Sequence, residues 1–378
     1  MVSMTCDLVE RAKTIADPRR QCRNLKHRLE DLLVLGFCGV LAGCDDCVEI
    51  ADWAQQNLAF FRTFLELPHG IPSHDTFNRT FAVVKPAALR EVLLPWLLER
   101  RGLPGDWVHL DGKTMRHTRR AARGLDALHV VSAWAGQTGL TLGQVAVADK
   151  SNEITALPEL LQLLDLRQKV VTTDAMGCQK EVAATIRAGE GDYVLAVKDN
   201  QPSLHAELQA AFVIAQTSPA PPAWRETTED TGHGRHEQRT VRVLPAARYL
   251  SAGQRQAWLD LATLVMVIRV VTCQATGAVS REVAYFISSL RPNARQIGQA
   301  IRGHWSIENG LHWVLDVVFR EDARRLYERT TAENVALLNR LALSVLRGDT
   351  SKGSLKVKRK RAGWNTQYLA QLLGFPSI

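Results

Sequence analysis

The order of short β-rich runs and helices between Trp107 and Lys198 constrains the fold more than any other feature of the chain. Trp107-Val-His-Leu-Asp111, Leu128 to Trp134 and Leu140 to Val147 are rich in β-formers and separated by polar or Gly-containing segments, which predicts three strands in a meander. Helical periodicity follows from about Ile154 to Leu164, with Pro158 near the first turn. Lys169-Val-Val-Thr-Thr-Asp174 then predicts a fourth strand, Gln179 to Ala188 a helix, and Tyr193-Val-Leu-Ala-Val-Lys198 a fifth strand. This order belongs to a mixed α/β sheet rather than a purely parallel one. Two of the strands end in an aspartate, Asp111 and Asp174. Taken alone, Asp111-Gly112 is ordinary turn chemistry, with Gly112 permitting a tight exit from the strand.

The flanks have other periods. Leu29, Leu32, Leu33 and Leu35, then Val48, Ile50 and Trp53, recur at helix spacing. Ser73 and Asp75 are cap-type residues before a second helical stretch with Phe77, Phe81, Leu89, Leu93, Leu94 and Leu97 on its apolar face. Residues 1–103 are therefore expected to form a helical N-terminal domain, followed by the first part of an α/β core at 104–201. Residues 202–293 read as a β-rich insertion, with strands near Thr240–Leu244, Leu261–Val271 and Tyr285–Ser289, a linker at Pro219–Pro222 and a polar hinge at Gly232–Arg239. A second, helical core part spans 294–348. In it Ile301, Trp305, Ile307, Leu311 and Leu315 make an apolar face, while His304, Glu308 and His312 share another; as large aromatic residues, Trp305 and Trp313 are assigned to the core. Residues 349–378 read as a basic tail.

With 378 residues the chain is long enough for two or three domains. Its longest apolar stretches fall short of the roughly 20 residues of a membrane span, and no signal-type segment opens it, so neither membrane insertion nor secretion is expected. Seven cysteines without a framework point to reduced thiols and a cytoplasmic protein; Cys44 and Cys47 lack a second ligand pair of zinc-site spacing. The formal net charge is +8, of which Lys352, Lys356, Lys358, Arg359, Lys360 and Arg361 carry +6 with no acid among them. Such a run is either a solvated tail or a nucleic-acid contact.

Asp111, Asp174 and Glu308 come from three elements, and oxygen ligands of this kind suit Mg²⁺ or Mn²⁺. A pair of such ions about 4 Å apart activates water and stabilises the leaving oxygen of a phosphodiester. Around these acids the chain resembles the transposases of bacterial insertion sequences that use an Asp-Asp-Glu triad, in the branch of the H-repeat-associated proteins. The resemblance rests on Leu29-Glu-Asp-Leu-Leu, Gly70-Ile-Pro-Ser-His-Asp-Thr-Phe-Asn78, Asp111-Gly-Lys-Thr, Asp174-Ala-Met-Gly-Cys-Gln179, Lys198-Asp-Asn-Gln-Pro202, His233-Gly-Arg235, and His304-Trp-Ser-Ile-Glu-Asn-Gly-Leu-His-Trp313 with Leu315-Asp-Val-Val-Phe319.

The resemblance implies an RNase H-like mixed-sheet catalytic domain in which Asp111, Asp174 and Glu308 hold two divalent ions, with Asp111 as the shared ligand. It also implies a dimer that cuts DNA at terminal inverted repeats and joins the ends to target DNA. The wider group places a Tyr, an Arg and a Lys around the catalytic Glu, where this chain has Ile301, His304 and Leu315. Beside the triad, Lys113 and Lys198 are candidate phosphate contacts, and His304 and His312 candidate supports of the site. Arg116, Arg119, Arg120 and Arg123, in the segment after the first acid, are candidate DNA-backbone contacts, as are Lys358, Arg359, Lys360 and Arg361. The alternatives are a non-catalytic DNA-binding relic of a mobile element and a glycosidase using two of the carboxylates. A sugar hydrolase leaves the basic run unexplained and has few aromatic residues near the acids.

Overall fold

The computed structural model describes residues 7–20, 25–102, 105–119, 126–147, 153–217, 221–232 and 234–375. Six helices open the chain: α1 (Asp7–Ala12), α2 (Leu29–Ala42), α3 (Cys47–Gln56), α4 (Leu58–Phe61), α5 (His74–Val83) and α6 (Pro86–Arg101). Beyond Glu30 and Asp31 in its first turn, helix α2 is apolar all round and is accordingly the buried centre of this layer, with α1, α3 and α5 packed on it. It stops at Gly43, whose φ of 103° suits a residue without a Cβ, and α3 starts where the Asp46 carboxylate accepts the Val48 and Glu49 N–H groups.

The sheet follows: β1 (Trp107–Met115), β2 (Leu128–Ala135), β3 (Leu140–Ala146), α7 (Glu153–Gln162), β4 (Val170–Thr173), α8 (Lys180–Ala188) and β5 (Asp192–Val197). After α9 (Pro202–Ile214) come β6 (Arg225–Gly232), β7 (Arg235–Pro245), α10 (Ala246–Tyr249), α11 (Ala252–Ala257), β8 (Thr263–Cys273) and β9 (Val279–Ser288). All nine strands form one sheet in the order β3-β2-β1-β4-β5-β9-β8-β7-β6, in which β1, β4 and β5 run parallel and the other neighbours antiparallel. The expected order of strands and helices is present, and the β-rich segment continues the same sheet through the β5–β9 pairing.

Two local expectations are corrected. Strand β1 does not exit at Asp111: it runs on to Met115, and Asp111 and Gly112 pair with Ser132 and Val131 of β2. The pairing partner overrides the local turn preference of Asp-Gly. The polar stretch expected as a hinge is mostly strand, because Arg235 to Arg239 pair with both β6 and β8; His233 lies outside the described residues.

The chain closes with α12 (Ala294–Ile307), a single wide turn at Glu308–His312, α13 (Trp313–Val317), α14 (Arg329–Gly348), α15 (Leu355–Trp364) and α16 (Thr366–Leu373). Helix α12 covers one face of the sheet through Ala294, Ile297, Ala300 and Ile301 against Val241, Val243, Val265 and Val267. Helix α14 joins the sheet to the N-terminal layer, packing on β3 as well as on α2, α5 and α6. The C-terminal run is not a solvated tail. Helices α15 and α16 pack on α2, with Ala362, Leu369, Leu373 and Phe375 in the core. Among the described residues no helix is long and apolar enough to cross a membrane.

Candidate active site

Asp111 stands one residue past the last point where β1 has neighbours on both sides. On one side it faces Ser132 of β2; on the other, the β1–β4 pairing ends at Leu110 and Thr173, and Asp174 follows directly. Glu308 reaches the same place from the end of α12. There the Trp313 N–H bonds the Glu308 carbonyl, five residues back, so the helix makes one wide π-type turn. Asp111, Asp174 and Glu308 line one cleft of about 640 Å³, together with Thr172, Lys198, His304, Trp305, Arg239 and Arg269.

The wide turn also delivers His312. Its Nδ1 lies 3.4 Å from Asp111 Oδ2 and 3.3 Å from Glu308 Oε2. Ligand atoms of Asp111, Glu308 and His312 all fall within 4.8 Å of one another, the spacing of donors around one cation. Burial, then the charge of Asp174, pushes the Asp111 carboxyl up to about 7, and burial raises Asp174 as well. Burial holds the His312 imidazole down at about 3, so at neutral pH it is an uncharged neighbour of the acids. Among the described residues, no Lys or Arg lies within salt-bridge reach of Asp111, Asp174 or Glu308. Carboxylate oxygens with one imidazole beside them, and no salt-bridged Lys or Arg among the described residues, fit a hard divalent ion such as Mg²⁺ or Mn²⁺.

Other sequence-derived candidates divide. Lys198 is exposed on the cleft wall near Asp174, and His304 lines the cleft with its Nδ1 2.9 Å from Thr172 Oγ1. The same hydroxyl lies 2.7 Å from Nδ1 of buried His109, a relay the sequence did not single out. Burial keeps His304 down at about 4 and His109 at about 3.

Lys113 is not a free phosphate contact. It is 7% exposed, with its Nζ 2.7 Å from Asp316, 3.2 Å from Asp322 and 4.0 Å from Glu321. Lys358 and Arg359 are buried too. Arg359 donates to the Val40, Val318 and Cys44 carbonyls, and Lys358 to the Asp349 carbonyl, so neither is available to DNA. Lys360 is exposed, and Arg361 is half-buried against Ser351. Arg116 and Arg119 are exposed, Arg116 beside Asp322; Arg120 and Arg123 lie outside the described residues.

Trp305 and Trp313 are not core: they are 62% and 55% exposed, and Trp305 lines the cleft. Sequence reasoning also passed over Arg239 and Arg269, which reach the cleft from the β-rich segment and are held by Glu237. They stand directly opposite each other on β7 and β8, a long-range pairing that no local pattern signals.

The family described as Transposase DDE domain matches residues 105–345, and the one described as DDE_Tnp_1-associated matches residues 9–97. "Putative transposase YncI" of Escherichia coli O157:H7 is 36% identical over 97% of this chain and 94% of the relative. "H repeat-associated putative transposase YhhI" of Escherichia coli K12 is 34% identical over 97% of each chain. A solved piggyBac transposase synaptic complex with hairpin DNA aligns at a TM-score of 0.41 and 11% identity, over 99% of this chain and 78% of that one, a likeness too distant to argue from. The chain thus belongs to the DDE-domain transposase family, among its H repeat-associated members.

Proposed function

We propose that this chain is the transposase of an insertion sequence, cutting DNA at terminal inverted repeats and joining the freed 3′ ends to target DNA. The observation that carries this reading is the gathering of Asp111, Asp174 and Glu308 on one cleft, with no Lys or Arg among the described residues paired to them. An RNase H-like core is supported by the order β3-β2-β1-β4-β5, with β1, β4 and β5 parallel and the first three strands antiparallel.

Asp111, with Asp174 on one side and Glu308 and His312 on the other, would hold two Mg²⁺ or Mn²⁺ ions. When bound, such ions make water a nucleophile at neutral pH and stabilise charge on the phosphate oxygens. The chain's own residues do the rest. The imidazole of His312 stands between the Asp111 and Glu308 carboxylates. Lys198, on the cleft wall, meets a phosphate of the DNA strand, and Trp305 offers an aromatic face to a base. Arg116, Arg119 and Lys360 are exposed cations suited to more distant backbone contacts. Two DNA ends handled together call for a homodimer, and DNA as substrate places the protein in the bacterial cytoplasm.

The test is nicking and strand transfer on inverted-repeat DNA with Mg²⁺. Asp111→Asn and Glu308→Gln are expected to lose at least about 1000-fold in rate, equivalent to roughly 4 kcal/mol of transition-state stabilisation. Undiminished cleavage by either variant contradicts the assignment.

A further inference from the structure

We propose that Glu153 is a fourth carboxylate of the metal centre, admitted beside Asp111 by the missing side chain of Gly112 and held there by His129. The inference rests on the divalent-metal reading above and extends it to a residue outside the triad.

Gly112 does not need to be glycine for its backbone: it lies inside β1, paired with Val131, and is absent from the positions of positive φ. What it provides is space. A Cβ there would stand 2.0 Å from Glu153 Oε1 and 2.3 Å from His129 Nε2. The Glu153 carboxylate therefore lies directly against the backbone of the residue following Asp111.

Side chains alternate along a strand, so Glu153 approaches from the face opposite Asp111. That separation closes at this point of the sheet. Because the β1–β4 pairing stops at Leu110 and Thr173, the β4 side of β1 is open from Asp111 onward, and Asp174 occupies the opening. A carboxylate lying over Gly112 reaches the opening from one face as Asp111 and Glu308 reach it from the other.

Glu153 is placed by a built chain of contacts. His129, opposite Thr114 on β2, bonds the Thr114 hydroxyl through Nδ1 at 2.7 Å and Glu153 through Nε2. The Glu153 side chain is only 14% exposed, and His129 is its ion-pair partner among the described residues. Its charge reaches both aspartates: burial is the main reason Asp111 and Asp174 are raised, and Glu153 adds to each, ahead of Glu308 on Asp111. A cation held by these carboxylates would relieve this repulsion.

Mn²⁺ titration of the full chain by calorimetry, without DNA, tests the assignment, with melting in metal-free buffer to confirm that each variant folds. Glu153→Gln is expected to weaken Mn²⁺ binding about tenfold or more. Gly112→Ala leaves every carboxylate in the chain but displaces Glu153, and it is expected to weaken binding in the same direction. The atoms nearest the new Cβ are the ends of the Glu153 and His129 side chains rather than backbone, so this variant is expected to fold, and it tests the position of Glu153 without removing its charge. Wild-type affinity in both variants, alongside lost binding in Asp111→Asn, overturns the role of Glu153 and leaves the triad standing. A wild-type chain that takes up no Mn²⁺ overturns the metal reading and this inference together.

Discussion

Asp111 and Lys113 sit two residues apart on the same face of β1, yet their surroundings are opposite in kind. Around Lys113 the charges are balanced. Asp316, Glu321 and Asp322 face its ammonium, and Glu321, 1% exposed, also pairs at 3.0 Å with Arg340, which is 0% exposed and donates to Ser132. Around Asp111 they are not: Asp174, Glu308 and Glu153 add negative charge, and the nearest ionisable partner, His312, is held neutral by burial. The balanced cluster fastens the segment after Glu308 to the strand that bears Asp111. The unbalanced one leaves carboxylates at a cost in folding stability that a bound cation would remove. A buried charge with its partners supplied is architecture, and one left without them is a candidate for chemistry.

The contrast can be broken from either side. The largest stability effect is expected on the balanced side. Arg340→Met leaves Glu321 buried without its guanidinium and is expected to cost about 3–5 kcal/mol in urea denaturation at neutral pH. A loss below about 1 kcal/mol would show that the cluster does not fasten the helices to β1.

On the unbalanced side the effect is smaller and opposite in sign. The folded-state value of Asp111, about 7, lies above the unfolded value of roughly 3.9. Between these two values the folded chain holds a proton that the unfolded chain has released, so this group subtracts stability as pH rises through that window. Metal-free Asp111→Asn is therefore expected to be more stable than wild type at pH 8, by on the order of 2 kcal/mol, with the difference vanishing below about pH 4. Thermal melts of both proteins across that range check the sign.

The sequence carried the strand and helix order of the core because periodicity is local, and it carried the three acids because each follows or interrupts an apolar run. It misjudged features that depend on distant partners. Asp111-Gly112 looks like a turn until Val131 and Ser132 of β2 are set opposite. Lys358 and Arg359 look solvated until carbonyls from α2 and from the segment after α13 close on Arg359. Trp313 looks like core because large aromatic side chains usually are, yet it stands 55% exposed. Trp305 lies on the expected face, but that face opens into the cleft. Glu153 and His129 carried no local signal, since what brings them together is the space above Gly112.

The central claim is that the uncompensated carboxylates around Asp111 are arranged for a divalent cation. The most direct measurement is the melting temperature of the full chain at pH 7.5 with and without Mn²⁺, in wild type and in Asp111→Asn. An ion that binds the folded state alone raises stability by about 2.7 kcal/mol at a hundred times its Kd. The account predicts a clear Mn²⁺-dependent rise in Tm for wild type that is lost in Asp111→Asn. An equal rise in both proteins, or none in wild type, would contradict it.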